Sequence, residues 1–129
     1  MLQVLIIEDS PVNMALTVAI LELAGHQSVQ AETAAQGIAM ARIQRPDVIL
    51  MDIQLPDMDG RAATRLLKAD PALRDIPVIA LTALAMEGDR TSMLAAGCDG
   101  YVTKPIRYQE FVSEVEAVVR RSRLPHQGV

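Results

Sequence analysis

The sequence predicts a single α/β domain in which a parallel five-stranded sheet carries helices on both faces. Three short apolar runs are unbroken rather than alternating, as in strands buried on both sides: Val4-Leu5-Ile6-Ile7, Val48-Ile49-Leu50-Met51 and Val78-Ile79-Ala80-Leu81. Between them lie stretches with apolar residues three and four apart, so strand and helix patterns alternate along the chain. The length of 129 residues suits one domain with its own core.

The first run, Val4 to Ile7, is followed by a helical pattern through Met14, Ala15, Val18, Leu21 and Leu23, with Gly25 as the stop. Ser28 to Glu32 is a weaker strand candidate, and the second helix spans about Ala34 to Ile43, before Pro46. Val48 to Met51 leads to a helix after Gly60 that includes Ala63, Leu66 and Leu67. Val78 to Leu81 is followed by a helix over about Met86 to Ala96, closed by Gly97. Gly100 to Thr103 is a second weak strand, and the last helix covers about Tyr108 to Arg121. Residues 1–123 read as one domain, and Leu124 to Val129, with Pro125 and Gly128, as a flexible C-terminal tail.

Composition narrows the function. Half of the residues are apolar, yet there is no Trp, one Phe and two Tyr, so the core is aliphatic. A formal net charge of -4 argues against nucleic-acid binding through a generally basic surface. Arg120, Arg121 and Arg123 read as the solvated end of a helix, where cations suit the dipole. Cys98 is the only cysteine, which leaves no intramolecular disulfide and points to a reducing cytoplasm. Leu2 to Ile7 is too short for a signal-peptide core or a membrane span. His26 and His126 lie away from the expected site, and each reads as a satisfied surface residue.

Open parallel sheets bind ligands beyond the carboxyl ends of their strands. There the sequence places Glu8 and Asp9 after the first strand, Asp52 after the third, Thr82 after the fourth and Lys104 after the fifth. Carboxylates gathered at adjacent strand ends repel unless something neutralises them, and Mg²⁺ with its oxygen ligands answers that need. Asp52 is then a candidate nucleophile for an aspartyl phosphate, with the metal and Lys104 offsetting charge on the transferring group. Thr82 has a hydroxyl for a phosphoryl oxygen, a contact that exists only after modification.

Each residue alone also has a plain structural reading. Asp9 or Ser10 can cap a helix with Pro11 in its first turn. Asp52 can open a turn completed by Pro56, Asp57 and Gly60, Thr82 can cap the next helix, and Lys104-Pro105 is an ordinary loop dipeptide. Their coincidence at one sheet edge favours chemistry.

Taken together the motifs resemble receiver domains of bacterial response regulators, from Leu2 to about Arg121. The residues that carry the likeness are Ile7-Glu8-Asp9, Asp47 to Pro56 with Asp59-Gly60, Leu81-Thr82-Ala83 and Lys104-Pro105-Ile106. The chain is most similar to single-domain regulators of the DivK-like kind, within the CheY-like superfamily. The resemblance implies a doubly wound, flavodoxin-like sheet of order 2-1-3-4-5 with five helices. It implies that Asp52 accepts a phosphoryl group from a histidine on a sensor kinase or phosphotransfer protein. Asp9, Asp52 and the backbone carbonyl of Gln54 would hold Mg²⁺, with Glu8 acting mainly through a coordinated water, and Mn²⁺ can substitute. Thr82 would be the switch hydroxyl, Ala83 a small neighbour admitting the phosphoryl group, Lys104 its counter-charge, and Tyr101 the aromatic switch. The bond between Lys104 and Pro105 is expected to be cis. Gln54 and Leu84 occupy positions that tune dephosphorylation, and an apolar Leu84 implies a long-lived phosphoryl state.

On this reading the chain assists its own Mg²⁺-dependent phosphorylation and is not a turnover enzyme. Its output is carried by the face of the fourth helix, fifth strand and fifth helix, read by a downstream protein or a second copy of the chain. The Met1 start and short tail favour a stand-alone regulator over a receiver belonging to a hybrid histidine kinase. A dehalogenase-like phosphatase would need a second Asp where Gln54 stands, and a flavodoxin-like electron carrier has no use for the acid cluster.

Overall fold

The computed structural model describes residues 1–83 and 87–124. Strands and helices alternate as β1 (Gln3–Ile7), α1 (Pro11–Leu23), β2 (Gln27–Ala31), α2 (Ala34–Gln44), β3 (Val48–Asp52), α3 (Gly60–Ala69), β4 (Val78–Thr82), α4 (Glu87–Ala95), β5 (Gly100–Thr103) and α5 (Tyr108–Ser122). The strands form one sheet in the order β2-β1-β3-β4-β5, every neighbouring pair parallel. The expected five-stranded architecture is therefore present.

The unbroken apolar runs have a direct cause. Successive side chains of a strand point to opposite faces, and each face has its own core here. Leu5, Ile7, Ile49, Met51, Val78 and Ala80 pack with Ala34, Ile38, Ala63, Leu67 and Met93 from α2, α3 and α4. Val4, Ile6, Val48, Leu50, Ile79 and Leu81 pack with Met14, Ile20 and Leu21 of α1 and with Phe111, Val115 and Val118 of α5. Burial on both faces leaves the apolar runs no polar position, and the central strands turn polar only at their ends, at Gln3, Asp52 and Thr82.

Local signals set the helix ends. The Ser10 hydroxyl accepts the Asn13 amide at 3.3 Å, with Pro11 in the first turn of α1. Beyond its other end Gly25 adopts a left-handed φ of 87°, and the His26 amide donates back to the Leu21 carbonyl at 2.9 Å.

Several expectations need correction. Strand β2 starts and ends one residue before the expected Ser28 to Glu32. In α1 the core face is Met14, Thr17, Ile20 and Leu21, while Leu23 is 77 % exposed. In α3 Thr64 is buried and Leu66 exposed. Both threonines enter the core because their hydroxyls donate to carbonyls four residues back, Asn13 and Gly60, at 2.8 Å. The His26 side chain is satisfied but not a surface group, being 8 % exposed. Its Nδ1 accepts the Leu2 amide at 3.1 Å, and its Nε2 lies 2.9 Å from Glu116 Oε2. Arg123 is more than a solvated helix end, since its guanidinium donates to Asp47 at 2.6 Å. No helix among the described residues is long and apolar enough to cross a membrane. His126 and the tail beyond Leu124 lie outside the described residues.

Candidate functional site

The sheet order places β1, β3, β4 and β5 in sequence across the middle and one edge of the sheet, so their carboxyl ends adjoin. Glu8 follows β1 directly, and its amide donates to the Ala31 carbonyl at 3.0 Å, which seats it against the end of β2. Its side chain is 1 % exposed, while neighbouring Asp9 is exposed. Asp52 ends β3 and is buried; its Oδ1 accepts the Gln54 amide at 3.1 Å, as the turn reading expects. Thr82 ends β4 and is buried. Helix α4 begins at Glu87, five positions on. Ala83 follows, exposed.

Lys104 completes the group. Its amide donates to the Thr82 carbonyl at 2.7 Å, extending the β4–β5 pairing by one step. Its Nζ then reaches Glu8 Oε1 at 2.7 Å and Asp52 Oδ2 at 3.1 Å. The Lys104–Pro105 peptide is cis. A cleft of about 290 Å³ opens here, lined by Glu8, Asp9, Asp52, Thr82, Ala83 and Lys104 among others.

The electrostatics of this group are unbalanced. Glu8, Asp9 and Asp52 each offer a carboxylate oxygen within 4.8 Å of the others, against one ammonium. Burial, then the hydrogen bond and negative charge of Asp52, push Glu8 from its ordinary 4.5 up to about 7, although Lys104 and the Ser10 amide pull the other way. For Lys104 burial works to lower the pKa, but the bond to Glu8 and the charge of Asp52 outweigh it, and the ammonium is held above its usual range. A close set of oxygen ligands with excess negative charge and room in an open cleft fits a hard divalent cation.

Of the other expected residues, Gln54 lies at this centre, whereas Tyr101 lines a separate cleft with Arg90 and Thr103. Gln54 lines the same cleft with its side chain exposed, and pairs with Asp59 across the loop between β3 and α3. That loop closes tightly because residue 60 is glycine: a Cβ there would overlap the Asp52 carbonyl oxygen and lie 2.8 Å from Ile53 Cα. Tyr101 is half-buried against the α2–α4 side of the core, with the Arg90 guanidinium 5.9 Å from its ring centre. Leu84 lies outside the described residues. The pairing of Glu8 with Lys104, 96 positions apart, and of Asp57 with the Ala34 and Ala35 amides carried no local sequence signal.

Comparison with known proteins decides the family. The profile described as "Response regulator receiver domain" matches residues 4–116. The chain belongs to the response-regulator receiver family. The receiver is 41 % identical over 114 residues to the polar-differentiation response regulator DivK of Brucella anthropi, covering 88 % of this chain and 93 % of that one. It is 37 % identical, with a TM-score of 0.85, to the receiver domain of a sensor histidine kinase from Pseudomonas aeruginosa, over 92 % of this chain and 98 % of that one. That crystal structure has a magnesium ion coordinated in the active-site cleft. The chemotaxis protein CheY4 of Vibrio cholerae shares the fold, with a TM-score of 0.85 at 24 % identity over 92 % of this chain and 98 % of that one. The receiver is thus CheY-like in fold and a member of a two-component signalling family, not of a family of turnover enzymes.

Proposed function

We propose that the receiver is a phosphorylation-controlled switch in which Asp52 is the phosphoacceptor. The observation that carries this reading is Lys104 Nζ bonded to both Glu8 and Asp52, with the Asp9 carboxylate gathered beside theirs in one cleft. An oxygen of Asp52 attacks the phosphorus of a phosphohistidine; the P–O bond forms as the P–N bond breaks, and the histidine nitrogen leaves with the electron pair.

Glu8, Asp9, Asp52 and the Gln54 carbonyl are the residues that would hold Mg²⁺, or Mn²⁺ in its place. Bound there, the cation neutralises the carboxylates and the oxygens of the incoming group. Lys104, now tied to Glu8 and Asp52, turns its ammonium toward the phosphoryl oxygens. Thr82, on the next strand end, donates its hydroxyl to one of them, and Ala83 leaves space for the group. Movement at Thr82 gives Tyr101 a different packing position, which changes the surface of α4, β5 and α5.

The donor on this reading is a sensor histidine kinase or a histidine phosphotransfer protein, and the reader is a downstream protein or a second copy of the chain, all in the cytoplasm. Similarity to DivK along nearly that protein's whole length supports a stand-alone regulator. Similarity to the receiver of the Pseudomonas histidine kinase supports the alternative, a receiver serving within a longer kinase.

The test is incubation with a small phosphodonor, with and without Mg²⁺, for wild type and Asp52→Asn. An acid-stable, base-labile phosphoryl group is expected on wild type with Mg²⁺ only. Equal labelling of Asp52→Asn would overturn the assignment.

A further inference from the structure

The loop 53–59 joins β3 to α3 and carries Gln54, the candidate backbone ligand. Its root is closed by the Gly60 amide donating to the Ile53 carbonyl at 2.7 Å and by the pairing of Gln54 with Asp59. Its tip is held from elsewhere in the fold. Asp57 Oδ1 accepts the Ala34 amide and its Oδ2 the Ala35 amide, both at 2.9 Å. These are the first two amides of α2, which have no acceptor within the helix. The two bonds, each favoured by the helix dipole, hold the Asp57 carboxyl below its usual range, so the clamp stays charged.

As a helix cap alone, Asp57 adds to a terminus that already has its own device. The Thr33 hydroxyl accepts the Gln36 amide at 3.1 Å, and Gln36 Oε1 accepts the Glu32 amide at 2.9 Å. What Asp57 adds, beside the packing of Leu55 and Met58 on the same core, is a pair of charged hydrogen bonds that connects two parts of the site. Helix α2 follows β2, whose last residue, Ala31, accepts the Glu8 amide. The clamp therefore ties the loop of Gln54 to the sheet edge that seats Glu8.

We infer that Asp57 is a positioning residue, holding the 53–59 loop so that the Gln54 backbone stays in register with Glu8, Asp9 and Asp52 for the cation. The inference rests on the metal reading of the site given above.

The test compares Asp57→Ala, Asp57→Asn and Thr33→Ala, the last removing an α2 cap without touching the loop. Calorimetric titration with MgCl₂ and amide hydrogen exchange of the metal-free proteins are the readouts. Asp57→Ala is expected to weaken Mg²⁺ binding roughly fivefold, the size of one lost cap, and to speed exchange across residues 53–59. Asp57→Asn, which keeps one carbonyl oxygen, should recover part of both. Thr33→Ala should lower stability while leaving Mg²⁺ affinity and loop exchange as in wild type. Equal loss of affinity in Asp57→Ala and Thr33→Ala would overturn the inference, because α2 stability alone would then explain it. Unchanged affinity in Asp57→Ala, with wild type binding Mg²⁺ normally, would overturn it and leave the site reading intact. Failure of wild type itself to bind Mg²⁺ would overturn both.

Discussion

Replacing Glu8 by Gln should make the metal-free protein more stable at alkaline pH, although it removes one partner of a buried ion pair. In the folded state Glu8 ionises near 7 instead of 4.5. The folded form therefore binds more protons than the unfolded form between those values, and this group's contribution makes stability fall as pH rises through that window. At about 1.4 kcal/mol per decade of acidity, the gap between 4.5 and about 7 is worth on the order of 3 kcal/mol. The side chain is 1 % exposed, so solvent screening offers little relief. Gln is close in shape to the protonated acid and leaves Lys104 paired with Asp52 at 3.1 Å. At about pH 4.5 or below the two proteins should differ little, and above about pH 8 the variant should gain most of that amount. Urea unfolding followed by far-ultraviolet circular dichroism, in chelator, measures this; the chain has no Trp for fluorescence. A variant less stable than wild type above about pH 8, or two parallel pH profiles, would refute the electrostatic reasoning.

Three further outcomes follow from the same contacts. Removing the ammonium with Lys104→Ala leaves Glu8 and Asp52 without their counter-charge. It should cost roughly 3 kcal/mol in chelator at pH about 8, with part of the loss recovered when Mg²⁺ is added to the same urea titration. Because ligands must be deprotonated to bind a cation, Mg²⁺ affinity should rise with pH through about 7, and calorimetry in buffers of different ionisation enthalpy should show proton release below that pH. Gly60→Ala forces a Cβ onto the Asp52 carbonyl and Ile53 backbone and should lower stability by about 2 kcal/mol, read as a reduced urea midpoint.

The central strands were legible because burial on both faces removes every polar residue from Val4–Ile7, Val48–Met51 and Val78–Leu81. The site was legible because parallel strands bring their carboxyl ends to one edge, so that Glu8, Asp9, Asp52, Thr82 and Lys104 had to lie near one another once the strands were placed. Strand order was not written in periodicity; it came with the family likeness. The helix faces were harder to read. Thr17 and Thr64 enter the core by bonding their own helix, while Leu23 and Leu66 face solvent, and a hydropathy period weighs all four wrongly. Pairings across long separations left no local trace. His26 with Glu116 and Asp57 with α2 depend on how the layers stack, which the residues beside them do not encode.

The claim at the centre of this account is that one carboxylate, Asp52, becomes the acyl phosphate. Reducing the phosphodonor-treated, Mg²⁺-loaded protein with borohydride converts an aspartyl phosphate to homoserine, which peptide mass spectrometry locates by residue. The account predicts homoserine at position 52 in wild type and at no position in Asp52→Asn. Homoserine at Asp9, or undiminished conversion in the variant, would contradict it.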